Sequence, residues 1–174
     1  MSQPALGPAA SPPALDADGG RPAYDLIELF FFAYRDFVGD PDRILGELGF
    51  GRAHHRVLHF VARRPGMPVA DLLDVLKITK QSLNRVLKEL IDRGHVEQRA
   101  GVSDRRQRLL YPTDVGRTLA LRLARLQTRR LAGALAGALD GAEADAARRF
   151  LLAMIDPAER GKVRGSLGGA KLAP

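Results

Sequence analysis

Three polar side chains that could read DNA bases lie at helical spacing near the middle of this sequence. Gln81, Arg85 and Lys88 stand at positions i, i+4 and i+7, so a helix would place them along one face. An arginine can form a bidentate pair with guanine, a glutamine can pair with adenine, and a lysine reaches guanine or a phosphate. Ser82 and Asn84 flank this line. The pattern predicts a base-reading face, and the alternative is an ordinary solvated helix surface.

A second basic cluster follows about twenty residues later and consists of Arg105, Arg106 and Arg108. Arginines at the tip of a loop are suited to the narrow, electronegative minor groove of A·T-rich DNA. Residues 77–108 contain nine Lys or Arg and four Asp or Glu, and so carry five of the seven net positive charges of the chain. Asp104 lies within this patch, where it either orients a neighbouring arginine through a forked ion pair or is a solvated turn carboxylate.

The elements that position these side chains can be predicted from their apolar spacing. A short amphipathic helix is predicted from Val69 to Leu76, followed after a three-residue turn by a helix that Thr79 caps and that runs to Arg93. The buried stripe of the second helix is Leu83, Val86, Leu87, Leu90 and Ile91, and Gly94 ends it. Two strands, His95 to Ala100 and Gln107 to Tyr111, then form a hairpin. The prediction is a helix-turn-helix followed by a hairpin wing.

Four further helices are predicted around this motif. Tyr24 to Val38 contains four of the seven phenylalanines and is apolar on nearly all sides, so it needs neighbours on more than one face. A second helix runs from Arg52 to Arg64, and a long leucine-rich helix begins after Thr113. A last helix is marked by Ala147, Phe150, Leu151, Met154 and Ile155.

The predicted fold class is mainly α with a small β-hairpin wing, in a winged helix-turn-helix domain joined to a helical dimerisation domain. Residues 51–112 form the DNA-binding domain, and residues 23–50 and 113–157 form the dimerisation region. Residues 1–22 are rich in proline and alanine and are predicted to be a disordered tail. Residues 158–174 contain four glycines and four basic residues and are predicted to be a basic tail.

Composition excludes several classes of protein. The 174 residues have a net charge of +7 and a hydrophobic fraction of 45%, which fits a globular domain that binds an acidic partner such as nucleic acid. Cysteine is absent, so disulfides and thiolate metal sites are excluded. The sequence shows no secretory signal and no apolar run long enough to span a membrane. We therefore expect a cytoplasmic protein that associates with the nucleoid.

An enzyme is not expected, because no spacing of Ser, His or acidic residues matches a nucleophile motif. The histidines are His54, His55, His59 and His95. His55 and His59 are four residues apart on a helix, but two ligands without a third predict no metal site. No cofactor is predicted. We expect His54 to pack in the core, and His55 and His59 to face either solvent or a ligand pocket.

Residues 24–155 resemble the MarR family of winged helix-turn-helix regulators. The resemblance is sharpest in Ile-Thr-Lys-Gln-Ser-Leu-Asn-Arg-Val-Leu-Lys-Glu-Leu-Ile-Asp-Arg-Gly (78–94) and in the Asp-Arg-Arg that follows at residues 104–106. It implies a homodimer built from the terminal helices, a recognition helix in the major groove and a wing in the minor groove. It further implies that Asp104 buttresses the wing and that Arg106, rather than Arg105, enters the minor groove. Pro112 departs from the Leu-Thr usual in the family at this point.

The resemblance and the residues together predict a homodimeric, sequence-specific transcriptional regulator of pseudo-palindromic double-stranded DNA. The alternative is an architectural or protein-interaction winged helix that binds DNA without specificity. The predicted DNA contacts are Thr79, Lys80, Gln81, Ser82, Asn84, Arg85, Lys88, Arg105, Arg106 and Arg108. The resemblance also implies a pocket for a small aromatic or phenolic ligand, for which the candidate residues are Tyr34, His54, His55 and His59.

Overall fold

A computed structural model of the chain describes residues 22–101, 104–138 and 141–168. These residues form seven helices and three strands. The helices are α1 (Tyr24–Glu47), α2 (Arg52–Arg63), α3 (Val69–Leu76), α4 (Lys80–Asp92), α5 (Asp114–Ala138), α6 (Gly141–Ala153) and α7 (Pro157–Gly168). The strands are β1 (Met67–Pro68), β2 (Val96–Ala100) and β3 (Arg108–Pro112). The predicted fold class, mainly α with a small hairpin, is confirmed.

The chain divides into two compact units, one extending to Asp36 and the other beginning at Phe37. The described part of the first unit is the N-terminal portion of α1, whose large apolar side chains are exposed. The second unit contains a hydrophobic core to which α2, α3, α4, α5 and the sheet all contribute. Its fully buried side chains include Leu45, Leu58, Leu72, Leu83, Leu90, Leu110 and Leu123.

The sheet is antiparallel, with strand order β1, β3, β2. In the hairpin, Val96 pairs with Pro112 and Ala100 pairs with Arg108. The short strand β1 was not predicted from the sequence, because two residues are too few to show a period. It forms because Gly66, at φ +87°, turns the chain and donates its N–H to the carbonyl of Leu110 at 2.8 Å. The residues just before α3 are thereby joined to the wing.

One helix is longer than predicted, and one further helix was not predicted. Helix α1 continues through Pro41 to Glu47, because Val38, Pro41, Ile44 and Leu45 are buried and keep a helical spacing. Residues 158–168 of the predicted basic tail lie in helix α7, which the sequence did not predict. Asp156 caps this helix by accepting the N–H of Ala158 at 2.9 Å. The predicted disordered segment 1–21 and residues 169–174 lie outside the described residues.

No helix in the described ranges is both long enough and apolar enough to cross a lipid bilayer.

Candidate nucleic-acid interface

Helix α4 presents two contrasting faces. Leu83, Val86, Leu87 and Leu90 are buried and hold the helix on the core of the second unit. The opposite face exposes all the polar residues that the sequence singled out on this helix, namely Lys80, Gln81, Ser82, Asn84, Arg85 and Lys88. Within the described part of the chain, Gln81, Asn84 and Arg85 have no side-chain hydrogen-bond partner. Their donors and acceptors are available to a ligand.

The N-terminus of α4 is closed by Thr79 and Ser82. The Thr79 hydroxyl oxygen accepts the N–H of Ser82 at 3.2 Å and donates its own hydrogen to the Ser82 hydroxyl at 2.9 Å. This is the N-cap that the sequence predicted. Since both hydroxyls take part in the cap, their first role is to fix the start of the helix. The N–H groups of the first turn point out of the helix end and can meet an anion.

The C-terminal end of α4 is held by the segment between α1 and α2. Arg93 donates to the carbonyl of Leu48 at 2.5 Å, and its guanidinium lies 4.8 Å from the centre of the Phe50 ring. The ring of His54 also stacks on Phe50, with 4.7 Å between the two ring centres. Glu89 receives a hydrogen bond from His54 Nε2 at 2.9 Å. Helix α4 is therefore anchored at both ends.

Lys88 has a partner that the sequence analysis did not anticipate. Its ammonium lies 2.5 Å from the carboxylate of Asp92, four residues along the same helix. Both side chains are more than half exposed, so the pair is weak and the lysine can leave it for a phosphate or a base. The spacing of the two residues could have revealed this pair.

The wing carries three exposed arginines, Arg105, Arg106 and Arg108. Gly101 is buried at the base of the turn, where a Cβ atom would lie 2.7 Å from the carbonyl oxygen of Asp104, so glycine is required there. The N–H of Gly101 donates to the carbonyl of Gln107 at 3.0 Å and closes the hairpin. Residues 102 and 103 of the predicted turn lie outside the described residues.

Asp104 acts on the backbone of the wing. Its Oδ1 atom accepts the N–H of Arg106 at 2.9 Å. The forked ion pair with an arginine side chain that the sequence suggested is not formed among the residues the structure describes. The reason is the tightness of the turn, which brings the main-chain N–H of Arg106 to the carboxylate. The contact leaves the guanidinium groups of the wing exposed.

Arg99 and Tyr111 stiffen the base of the wing. The Arg99 guanidinium lies 4.4 Å from the centre of the Tyr111 ring and forms an ion pair with Glu97. Leu110 on β3 is fully buried, so the inner face of the hairpin belongs to the core. The base of the wing therefore shares the hydrophobic core that holds α4.

The four residues suggested for a ligand pocket have different surroundings. Tyr34 lies in the first unit and is half exposed. His54 accepts the N–H of Gly51 on Nδ1 at 3.1 Å and donates from Nε2 to Glu89, so both of its ring nitrogens are occupied. His55 is buried, and its ring meets that of His59 edge-on at 6.5 Å between centres. Burial lowers the pKa of both His55 and His59 and so favours the neutral form of both rings.

Three cavities lined by described residues lie along α5. Of these three, the largest has a volume of about 540 Å³ and lies between α5 and the last turns of α1. Its lining includes Arg43, Arg122, Arg125 and Arg129, together with Glu47 and the apolar side chains of Ile44, Leu121 and Leu126. The other two, of about 420 and 340 Å³, also border α5. None of the three is lined by the suggested tyrosine or histidines.

A metal site is not formed within the described ranges, where no three His, Asp or Glu side chains converge.

Comparison with known proteins points to one family. The MarR family pattern matches residues 48–107, which include α2, α3, α4 and the first part of the wing. The HTH-type transcriptional regulator PetP of Rhodobacter capsulatus is 51% identical over 135 residues, which are 77% of this chain and 80% of the relative.

Two solved structures show the same fold. The transcriptional regulator SlyA matches with a TM-score of 0.63 and 19% identity over 75% of this chain and 91% of its own. A complex of S. aureus MepR with DNA matches with a TM-score of 0.60 and 16% identity, over 74% of this chain and 94% of its own.

Proposed function

Because this chain belongs to the MarR family of transcriptional regulators, we propose that it binds specific double-stranded DNA operators as a homodimer. The observation that carries the proposal is the exposed face of α4, where Gln81, Asn84 and Arg85 have no partner in the described chain and the helix is fixed at both ends. A rigid helix with free amide and guanidinium groups suits the donor and acceptor pattern of the major groove. In this arrangement Arg85 reads guanine and Gln81 reads adenine.

The remaining predicted contacts divide by chemistry. Lys80, the first residue of α4, and Lys88, in the second half of the helix, bind phosphates, which position the protein without reading sequence. Arg106 enters the minor groove, Arg105 and Arg108 bind the adjacent backbone, and Asp104 holds the turn that presents them. Thr79 and Ser82 keep the first turn of α4 in shape, so that its N–H groups face a phosphate.

A homodimer follows from the exposed apolar surface of the first unit. Phe30, Phe31 and Phe32 are 46%, 65% and 52% exposed, and Leu29 is 63% exposed. A contiguous apolar surface of this kind on a helix marks a protein interface. We propose that residues 23–50 and 113–157 form the dimerisation region about a twofold axis, which places the two recognition helices about 10 base pairs apart.

A small-molecule effector is proposed for the cavity beside α5 rather than for the histidines. Its volume of about 540 Å³ suits a small ligand. Arg122, Arg125 and Arg129 have no ion-pair partner in the described chain, and leucine side chains lie beside them. This combination of guanidinium and apolar groups favours an aromatic carboxylate or another small organic anion. The ligand would then bind beside α5, the helix that follows the wing in the chain.

The role proposed here is that of a regulator in the cytoplasm, associated with the nucleoid and without catalytic activity. Its decisive test is footprinting on genomic fragments, followed by titration of the protected fragment and of bulk DNA. A specific regulator prefers its site by about 10³ or more. An architectural protein, the alternative, would bind both fragments equally, and that outcome would refute sequence-specific regulation.

The effector proposal has its own test. Aromatic acids such as benzoate derivatives should raise the melting temperature of the protein and weaken its binding to the protected fragment. Arg125→Gln should remove both effects, while His59→Gln should leave them unchanged. If His59→Gln removes both effects and Arg125→Gln does not, the ligand binds beside the histidines and not in the cavity beside α5.

A further inference from the structure

Four side chains of alternating charge join α7 to the end of α3. Lys77 lies 2.7 Å from Asp74 and 3.4 Å from Glu159, and Lys162 lies 3.2 Å from Asp74 and 3.7 Å from Glu159. We call this group the α3–α7 charge cluster. Each ammonium thus contacts both carboxylates. Two of these contacts, Lys77 with Glu159 and Lys162 with Asp74, join residues more than 80 positions apart in the sequence. None of these four residues belongs to the DNA contacts predicted from the sequence.

The cluster lies at the surface. Lys77 first and Lys162 second lower the pKa of Asp74, while Asp74 and Glu159 raise the pKa of Lys77. The two lysine side chains are nevertheless 55% and 61% exposed. An ammonium has three donors. Lys77 donates to both carboxylates and Lys162 donates to Asp74, so each lysine keeps at least one N–H group for a further acceptor.

The position of the cluster in the helix-turn-helix identifies that acceptor. Lys77 is the residue that ends α3, with φ +50°, and it stands two residues before Thr79, the N-cap of α4. In a bound helix-turn-helix the first helix crosses the sugar-phosphate backbone, and the N-terminus of the second enters the major groove. The last turn of α3 is consequently next to a phosphate, and the cluster brings α7 to the same place.

The N-terminal part of α7, which carries the charge cluster, is also bonded to the end of α6. Arg160 donates from Nε to the carbonyl of Ile155 at 2.8 Å and from Nη2 to the carbonyl of Ala153 at 2.6 Å. These bonds satisfy carbonyls at the end of α6 and set the angle at which α7 leaves it. Lys162, two residues further on, is thus directed to the helix-turn-helix by covalent and hydrogen-bonded connections as well as by charge.

We propose that α7 is part of the DNA-binding surface, where Lys162, beside Lys77, binds a backbone phosphate next to the N-terminus of α4. The proposal rests on the proposed DNA-binding function and extends the contact surface beyond the winged helix-turn-helix. Asp74 and Glu159 hold the two ammonium groups in place before DNA arrives. Because a phosphate is present at every base step, this contact strengthens binding to all sequences equally.

The test is the salt dependence of binding to two duplexes, one selected by footprinting and one of arbitrary sequence. Lys162→Gln should weaken binding to both by the same factor and lower the slope of log K against log salt by about one per protomer, which is about two for the dimer. Between roughly 50 and 200 mM NaCl, the wild-type dimer should therefore lose roughly 12-fold more affinity than this variant. Lys162→Arg should restore the slope.

The matched control is Arg148→Gln on α6, which removes one exposed positive charge that is also paired with a carboxylate. It should leave the slope unchanged. Asp74→Asn weakens the cluster but keeps both lysines, so it should leave the salt slope unchanged and reduce affinity less than Lys162→Gln does. Equal losses in Asp74→Asn and Lys162→Gln would show a structural tether and overturn the proposal.

Different results would refute DNA binding by the protein and the role of α7 in it. A wild-type protein without salt-dependent binding to either duplex would refute the proposed function. A wild type that binds, with Lys162→Gln behaving like Arg148→Gln, would refute only the role of α7.

Discussion

The Nε2 atom of His54 lies 2.9 Å from Oε2 of Glu89, and this bond connects the first turn of α2 to the recognition helix α4. Because Gly51 donates its N–H to Nδ1, the ring proton of neutral His54 is on Nε2 and is donated to the carboxylate. The His54 side chain is only 12% exposed. Its place in the molecule is that of a fixed link between two helices of the DNA-binding domain.

Gly116 should be the least replaceable residue of α5. A Cβ atom at this position would lie 1.9 Å from the carbonyl oxygen of His95, which is backbone and cannot move aside easily. Gly116→Ala should lower the free energy of unfolding by about 1–3 kcal/mol, as overpacking does. Gly133→Ala on the same helix meets no atom within 4 Å and should be neutral or stabilising. Chemical denaturation of both variants measures the difference, and equal values would contradict the close approach.

Arg85 should control sequence preference. Arg85→Ala should cost about 1–3 kcal/mol of binding free energy per site and relax the preference at particular base pairs, because the bidentate fork is lost. Arg85→Lys keeps the charge without the fork, so it should recover salt-dependent affinity more than base preference. Titration of singly substituted operators measures both quantities. A folded Arg85→Ala dimer with unchanged preference would show that α4 does not read bases at this position.

Arg106 should sense the sequence that flanks each half-site. Arg106→Ala should weaken binding most where the flanks are A·T-rich, because a narrow minor groove concentrates negative potential. Arg105→Ala is the matched control on the same turn and should weaken binding to A·T-rich and G·C-rich flanks alike. Competition binding with the two kinds of flank separates the variants. If Arg105 and not Arg106 enters the minor groove, Arg105→Ala will be the variant that weakens binding most at A·T-rich flanks.

Phe31 should contribute to dimerisation. The side chain is 65% exposed on α1, and Phe31→Asp would place a charge in the proposed interface. Light scattering at micromolar concentration should show a dimer for the wild type and a shift to monomer for the variant. Ala70→Asp, on the exposed face of α3, should leave the dimer intact. A wild-type monomer would refute the dimeric assembly.

Stability should fall as the pH is lowered from about 7.5 to about 5.5. Burial lowers the pKa of His55 and of His59 below the ordinary 6.5, more strongly than the charge of Asp42 raises that of His55. The unfolded chain therefore binds protons first as the pH drops through 6.5, which favours unfolding. Denaturation curves measure this slope, and His55→Gln combined with His59→Gln should flatten it. Burial also lowers the pKa of His95, which supplies the residual slope.

Local signals account for the parts of the structure that the sequence predicted. The start of α4 follows from Thr79 and its side-chain cap, and the wing follows from Gly101 and the two short strands on either side of the turn. The polar face of α4 could be predicted residue by residue, because burial of Leu83 and Leu87 leaves only one orientation for the opposite side. These features depend on neighbours within a few positions in the chain.

Long-range contacts account for what was missed. Helix α7 contains Gly161 and Gly165, which lower helix propensity, and it is stabilised instead by the cap of Asp156 and by contacts to α6 and α3. The bond between His54 and Glu89 joins residues 35 positions apart. No periodicity reveals such pairs. The groove of arginines beside α5 was also missed, since its members come from two helices distant in sequence.

The three-stranded sheet has outer strands that discourage intermolecular pairing. Strand β1 has only two residues, and one of them, Pro68, has no N–H to donate. Strand β2 carries the charged Glu97 and Arg99 along its short length, and charge on an outer strand opposes edge-to-edge aggregation. Strand β3 is the central strand of the sheet and is already hydrogen-bonded to β1 on one side and to β2 on the other. At the high local concentrations reached when copies gather on DNA, association of this protein should therefore proceed through its helices and not through growth of the sheet into aggregates.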